Sequence, residues 1–194
     1  MVSMAGAALF LPFLPMLPTQ VLLNNLLYDV SEVGVPFDNV DEEALQQPVH
    51  WNLALVERYM LVLGPISSLF DFLTFYALLH LIGAGERMFQ TGWFIESLAT
   101  QSLVIFVIRT RKHPWMSRPH PVLMSLSIGV VLTGLLITLT PVGAWFGFVV
   151  PPASFFLFLV VAVGAYLALT EVVKRRFYLY WLEHRHRLHG RHVS

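Results

Sequence analysis

Four apolar segments, each about as long as a membrane-spanning helix, constrain this chain more than any other feature of its sequence. They are residues 59–82, 88–108, 121–140 and 151–173. A bilayer core of about 30 Å needs roughly 20 apolar helical residues to cross it. Hydrophobic residues make up 56% of the 194 residues and charged residues only 12%, which is more apolar surface than a soluble domain of this size buries. The sequence therefore predicts an all-α fold, a polytopic membrane helix bundle.

A fifth segment, residues 18–35, is long enough to span but carries polar residues. The apolar stretch before it, residues 1–11, reaches only about 16 Å as a helix and crosses half a bilayer. Between the two, Pro12, Pro15 and Pro18 predict a tight loop, because proline breaks helical hydrogen bonding. One kinked helix through all three prolines is the alternative. We thus expect five full transmembrane helices plus a truncated N-terminal half-helix.

Basic residues predict the orientation of the bundle. One cluster lies between the third and fourth full spans and a second follows the last span, so both lie on one side, which the positive-inside rule makes the cytoplasm. The clusters are Arg109, Arg111, Lys112 and Arg118, and then Lys174, Arg175, Arg176, Arg185, Arg187 and Arg191. By the same parity the acidic linker 38–57 is cytoplasmic and the loop 84–90 is outside.

The ends of the chain and its cysteine content restrict the partners. With no cysteines, disulfides and thiolate metal sites are excluded. The tail 176–194 holds four histidines among arginines. Attraction of this basic tail to anionic membrane lipid is the favoured interpretation, and a histidine metal site is the alternative.

Acidic side chains inside the predicted spans are candidates for function, since an ionisable group in hydrocarbon costs at least about 2.5 kcal/mol on insertion scales. Asn25 and Asp29 are four residues apart and share one helical face, which Glu32 extends by a turn. Carboxylate and amide oxygens suit Mg²⁺ or Ca²⁺ better than copper or zinc. Hydrogen bonding to neighbouring helices explains the same residues equally well.

Two further acids lie in the later spans. Asp71 is next to Ser67 and Ser68 in sequence, and an interhelical hydrogen bond is its favoured role. Glu96 and Thr100 form another polar pair four residues apart. For Glu96, a role as a cation ligand and a role as a hydrogen-bond partner between helices are equally supported.

Three stretches resemble bacterial magnesium-translocating P-type ATPases. Residues 10–41, FLPFLPMLPTQVLLNNLLYDVSEVGVPFDNVD, look like the sixth membrane helix of these pumps and the turn before it. Residues 58–75, RYMLVLGPISSLFDFLTF, resemble the seventh helix, and residues 88–112, MFQTGWFIESLATQSLVIFVIRTRK, resemble the eighth. The resemblance runs over nearly the whole chain, and the first stretch is the most specific.

The resemblance implies particular roles for parts of the chain. Residues 12–175 would form pump helices six to ten, residues 1–11 the remnant of the fifth helix, and residues 176–194 a cytoplasmic tail. Asn25, Asp29 and Glu96 would be ligands for Mg²⁺ as the transported ion, with Asn24 and Asp71 as weaker candidates. The implied location is the bacterial inner membrane.

Other parts of such a pump have no counterpart in this sequence. The phosphorylation motif Asp-Lys-Thr-Gly-Thr, a nucleotide-binding domain and four earlier membrane helices are not found here. The resemblance therefore implies that this chain alone hydrolyses no ATP, and that its partners are membrane lipid and the N-terminal catalytic portion of the same pump, with no nucleic acid. The resemblance thus implies the C-terminal membrane domain, a fragment or split product, of a P-type ATPase that transports Mg²⁺. The alternative is a self-standing membrane scaffold or regulatory subunit with the pump fold but no transport.

Overall fold

The computed structural model describes the backbone of residues 2–38, 53–109 and 119–189, and the side chains of residues 3–38, 57–109 and 119–177. This part of the chain is helical and contains no strand. Within the described ranges six α-helices follow one another, numbered here α1 to α6: Val2–Ala7, Pro18–Glu32, Leu53–Tyr76, Glu86–Ile108, Pro121–Leu139 and Ala153–His189. A single turn of π-helix, Ala77–Leu81, extends α3. The predicted all-α membrane bundle is confirmed.

Within the described residues, four helices are long and apolar enough to cross a membrane. They span Glu57–Leu81, Glu86–Ile108, Pro121–Leu139 and Ala153–Phe177, close to the four predicted segments. The fifth predicted span is shorter than expected, because α2 has 15 residues and reaches about 22 Å. The short α1, with six residues, ends well before the three prolines. The proline-rich stretch is therefore a loop and not part of one kinked helix.

Local sequence explains where these helices begin. Pro18 occupies the first turn of α2, where its missing N–H costs nothing. The side chain of Gln20 accepts a hydrogen bond from the Leu17 N–H at 3.0 Å and so satisfies a group that the helix leaves unpaired. At the start of α5, Nδ1 of His120 accepts from the Val122 N–H at 3.3 Å and Pro121 follows the cap directly.

Helix α4 lies at the centre of the bundle and contacts α2, α3, α5 and α6. In its most apolar stretch 67% of the residues are buried, compared with 17–28% in the other three spans. Aromatic side chains fill the space around it: the ring of Phe75 meets Trp93 with centroids 4.8 Å apart, and Phe94 meets Phe148 at 4.6 Å. The outward faces of α5 and α6 are apolar and exposed, as expected of surfaces that contact lipid.

The bundle has two distinct ends. At one, which we call the loop end, two buried glutamines tie the connections together: Nε2 of Gln20 donates to the carbonyl of Phe146 and Nε2 of Gln90 to that of Leu14, both at 2.9 Å. At the other, the linker end, Asp38 pairs with Arg109 at 2.6 Å. Lys174 lies at the same end, because its Nζ donates to the carbonyl of Val107 at 2.7 Å.

This arrangement brings described members of both basic clusters to one end of the bundle, as the charge pattern predicts. Arg111, Lys112, Arg118 and most of the acidic linker lie outside the described residues, as do the side chains of the histidine-rich tail. The backbone of α6 continues without a break across residue 175, where the sequence suggested the start of a separate tail.

Candidate cation-binding site

The two α2 residues predicted as ligands lie on an exposed face. Asn25 and Asp29 are both exposed, as is Glu32 one turn further along. The opposite face of α2, formed by Gln20, Asn24, Leu27 and Ser31, is buried. Because α2 contacts α4 and α5, its buried face lies against these helices, and no described part of the chain covers Asn25 and Asp29. The i, i+4 spacing therefore places both oxygen donors on one side, as expected.

Asn24 is directed differently from its neighbour in sequence. Its side chain is 6% exposed, and its Oδ1 atom has no hydrogen-bond partner among the described residues. An unpartnered buried amide oxygen is costly. Asn24 is thus an available acceptor on the inner face of α2, while Asn25 is one on the outer face.

Glu96 lies in the middle of α4 and is 1% exposed. Its Oε2 atom has no hydrogen-bond partner in the described part of the protein. Asp71 on α3 and Tyr166 on α6 are close enough to interact electrostatically with it. The hydroxyl of Thr100, the expected partner four residues on, donates instead to the backbone carbonyl of Glu96 at 2.9 Å. Glu96 therefore keeps a free carboxylate oxygen in the interior of the bundle.

Asp71 is already engaged as a hydrogen-bond acceptor. Its Oδ1 accepts from the indole N–H of Trp93 at 3.0 Å, and its Oδ2 accepts from the hydroxyl of Ser3. These bonds join α1, α3 and α4, which agrees with the interhelical role favoured from the sequence. The sequence did not indicate which residues would be the donors, and these are Ser3 and Trp93.

The predicted residues thus form two groups. Asn24, Asp71 and Glu96 lie on the inner faces of α2, α3 and α4, whereas Asn25 and Asp29 face away from the described bundle. No cluster of three or more His, Asp or Glu side chains that could hold a metal ion exists within the described ranges.

Sequence reasoning missed three buried residues with amide or charged side chains. Gln20 and Gln90 are 0% and 1% exposed and hold the loop end, while Lys174 is 0% exposed at the linker end. A signal for the glutamines was present, since an amide in an otherwise apolar span needs a partner. Lys174 was counted only as one member of a basic cluster, and nothing in its spacing indicated that it points inward.

Comparisons with known proteins identify the family. A family model described as "Cation transporting ATPase, C-terminus" matches residues 13–176. The chain is 42% identical over 177 residues to "Magnesium-transporting ATPase, P-type 1" of Escherichia coli K12 and, equally, to the protein of the same name from Salmonella typhimurium 14028s. A further relative of that name in Salmonella typhimurium LT2 is 37% identical over 182 residues.

These alignments cover 89–91% of this chain but only 20% of each relative, so the chain spans about a fifth of their length. The family match covers the segment from the proline-rich loop to residue 176 of α6, the last basic residue of its apolar span. It thus includes α2, α4 and the candidate ligands Asn24, Asn25, Asp29, Asp71 and Glu96. The chain belongs to the family of cation-transporting ATPase C-terminal regions.

Proposed function

We propose that this chain is the C-terminal membrane region of a Mg²⁺-transporting P-type ATPase and contributes residues to the ion pathway. The observation that carries the proposal is the 42% identity, over 89% of the chain, to relatives named as magnesium-transporting ATPases. Phosphorylation and nucleotide binding would belong to other parts of the pump. ATP would act on this region only through those parts.

The exposed pair on α2 supports a role in a larger assembly. Asn25 and Asp29 lie on the uncovered face of a helix in a membrane bundle, beside Leu22 and Leu26, which are 70% and 61% exposed. A carboxylate facing hydrocarbon is costly. We infer that the N-terminal and catalytic portion of the same pump covers this face and completes the cation site there.

The chemistry of these groups suits Mg²⁺ as the transported substrate. Mg²⁺ prefers carboxylate and amide oxygens and keeps several of its waters, so few protein ligands suffice. Asp29 supplies the charge and Asn25 an amide oxygen on the same face. Glu96 is the third candidate, because its buried carboxylate has an oxygen without a partner. Asn24 and Asp71 are weaker candidates, the latter because its oxygens already accept two hydrogen bonds.

The orientation follows from charge. We propose that the linker end faces the cytoplasm of a bacterium, with the chain in the inner membrane and its C-terminus inside. Arg109, Lys174 and Arg175 all lie at that end, and cytoplasmic loops of membrane proteins carry the excess of basic residues.

A chimera tests the function. The segment of the Escherichia coli relative that aligns with this chain is replaced by this chain, and Mg²⁺-dependent growth and Mg²⁺-stimulated ATPase activity are measured in cells lacking other Mg²⁺ uptake. We expect the chimera to transport Mg²⁺. The rival function, a membrane scaffold without transport, predicts a chimera that assembles in the membrane but neither grows at low Mg²⁺ nor hydrolyses ATP.

Three substitutions of an acid by its amide, made in the chimera, test which of the candidate acids take part in transport. Asp29→Asn keeps shape and hydrogen bonding but removes the charge, and we expect it to abolish transport. Glu96→Gln should give an intermediate loss, and Asp71→Asn should mainly lower stability. Full transport by Asp29→Asn at unchanged Mg²⁺ affinity would show that this face of α2 only packs against other helices.

A further inference from the structure

Lys174 occupies an unusual position for a lysine in a membrane helix. Its side chain is 0% exposed and lies at the linker end of the last apolar span. Burial of an ammonium group is costly unless the charge is paired and its protons are bonded. Here Oε2 of Glu171 lies 2.5 Å from Nζ, and the backbone carbonyl of Val107 accepts from Nζ at 2.7 Å. The charge is therefore compensated, and one of its bonds goes to another helix.

The acceptor of that bond lies in the last turn of α4. The last four carbonyls of an α-helix have no partner within the helix, and a cation near them interacts favourably with the helix dipole. Val107 is the penultimate residue of α4, which ends at Ile108. Lys174 on α6 thus caps α4 from outside.

The same end of α4 is fixed from a second side. Arg109, the residue after α4, pairs with Asp38 at 2.6 Å, and the two side chains are only 6% and 13% exposed. The other oxygen of Asp38 accepts from the backbone N–H of His120 at 3.0 Å, where α5 begins. The end of α4 is therefore joined to the segment after α2, to the start of α5 and to α6.

We propose that Lys174 is a positioning residue. It holds α4 at one position along the helix axis, and so determines where the carboxylate of Glu96 lies relative to the other ion-pathway residues. Glu96 lies eleven residues before Val107 on the same helix, about 16 Å away. Because α4 is one continuous helix packed against four others, a bond at its end helps to hold the whole helix, including Glu96, at one axial position. A buried ion pair contributes little net stability, and its best-attested use is to specify register.

This inference rests on the proposed function for its transport readout, but a structural readout on the 194-residue chain does not depend on it. The chain is placed in lipid nanodiscs, and amide hydrogen exchange is compared in Lys174→Met, Lys174→Gln and the control Arg175→Met. Arg175 is the matched control because it pairs with the same Glu171, at 2.9 Å, while its side chain is 41% exposed. Lys174→Gln keeps a hydrogen-bond donor and serves if the methionine variant does not assemble.

The expected structural result is local. Amides of the last turn of α4 should exchange about five- to tenfold faster in Lys174→Met, the change produced by one lost hydrogen bond, with a smaller effect in Lys174→Gln and none in Arg175→Met. Exchange in α5 should not change. Uniformly faster exchange in all helices, or no change in α4, would contradict the proposal that Lys174 caps the end of α4.

The transport readout uses the same variants in the chimera. Lys174→Met should raise the Mg²⁺ concentration for half-maximal ATPase activity about tenfold, the typical effect of losing a group that orients a ligand, while the maximal rate falls less than about twofold. Arg175→Met should match the parent. A lower maximal rate at unchanged half-saturation would reduce Lys174 to a stabilising residue. If the parent chimera shows no Mg²⁺-dependent activity, the proposed function fails, and hydrogen exchange still decides the cap.

Discussion

Asp71 accepts two hydrogen bonds at the interior of the bundle, and its loss should be measurable as stability. In Asp71→Ala the indole N–H of Trp93, whose side chain is 5% exposed, loses its acceptor. We expect a destabilisation of about 1–3 kcal/mol, the usual cost of an unpaired buried polar group. Asp71→Asn keeps an acceptor oxygen and should cost less. Thermal unfolding in detergent micelles, followed by circular dichroism, gives the comparison.

The double variant Asp71→Ala/Trp93→Phe is the control, because it removes donor and acceptor together. It should be less destabilised than the sum of the two single variants, as coupled partners are. Simple additivity would show that the bond contributes nothing.

At this scale the sequence indicated which residues are polar in the membrane but not what each one contacts. The hydrogen-bonding role of Asp71 followed from its apolar surroundings, whereas the donors Ser3 and Trp93 come from two other helices. Gln20 and Gln90 bond to loop carbonyls 126 and 76 residues away. Which distant residues become partners depends on how the helices pack, and the periodicity of a single segment does not indicate that.

Gly134 lets α5 pack closely against α4. A Cβ atom added to Gly134 would overlap the end of the Leu98 side chain, whereas one added to Gly129 on the same helix meets nothing within 4 Å. We expect Gly134→Ala to destabilise the protein by about 1–3 kcal/mol, as overpacking does. Gly129→Ala should be neutral or slightly stabilising, because alanine favours helix. The thermal unfolding midpoints of the two variants are compared. Equal midpoints would contradict the close contact between Gly134 and Leu98.

Element boundaries were predicted where hydropathy changes, and they differ from the structure where helix and apolar segment do not coincide. Helix α6 continues to His189, beyond the predicted end of its span at residue 173, because backbone hydrogen bonding does not stop where side chains become charged. Conversely, α2 ends at Glu32, and Pro36 lies in the short 3₁₀ turn that follows. Proline and the residue before it disfavour helix, which explains the shorter element.

For the whole molecule, the sequence predicts that the 194-residue chain forms no phosphoenzyme. The motif that carries the phosphorylated aspartate in P-type pumps is not found in it. Purified chain incubated with radiolabelled ATP and Mg²⁺ should show no acid-stable, hydroxylamine-sensitive label, with the full-length Escherichia coli relative as the positive control. Label on the 194-residue chain would overturn the expectation.

The orientation of the molecule is testable because the chain has no cysteines, so any introduced cysteine is unique. Arg109 and Lys174 lie at the linker end, and basic residues are retained on the cytoplasmic side. Cysteines at Ser117 and Ser194, which lie outside the described residues, should resist a membrane-impermeant thiol reagent in intact cells and react after lysis. A cysteine at the exposed Gly85, at the loop end, should react in intact cells and is the control. Labelling of Ser117→Cys or Ser194→Cys from outside would show that the linker end faces the exterior and would contradict the orientation proposed from the basic residues.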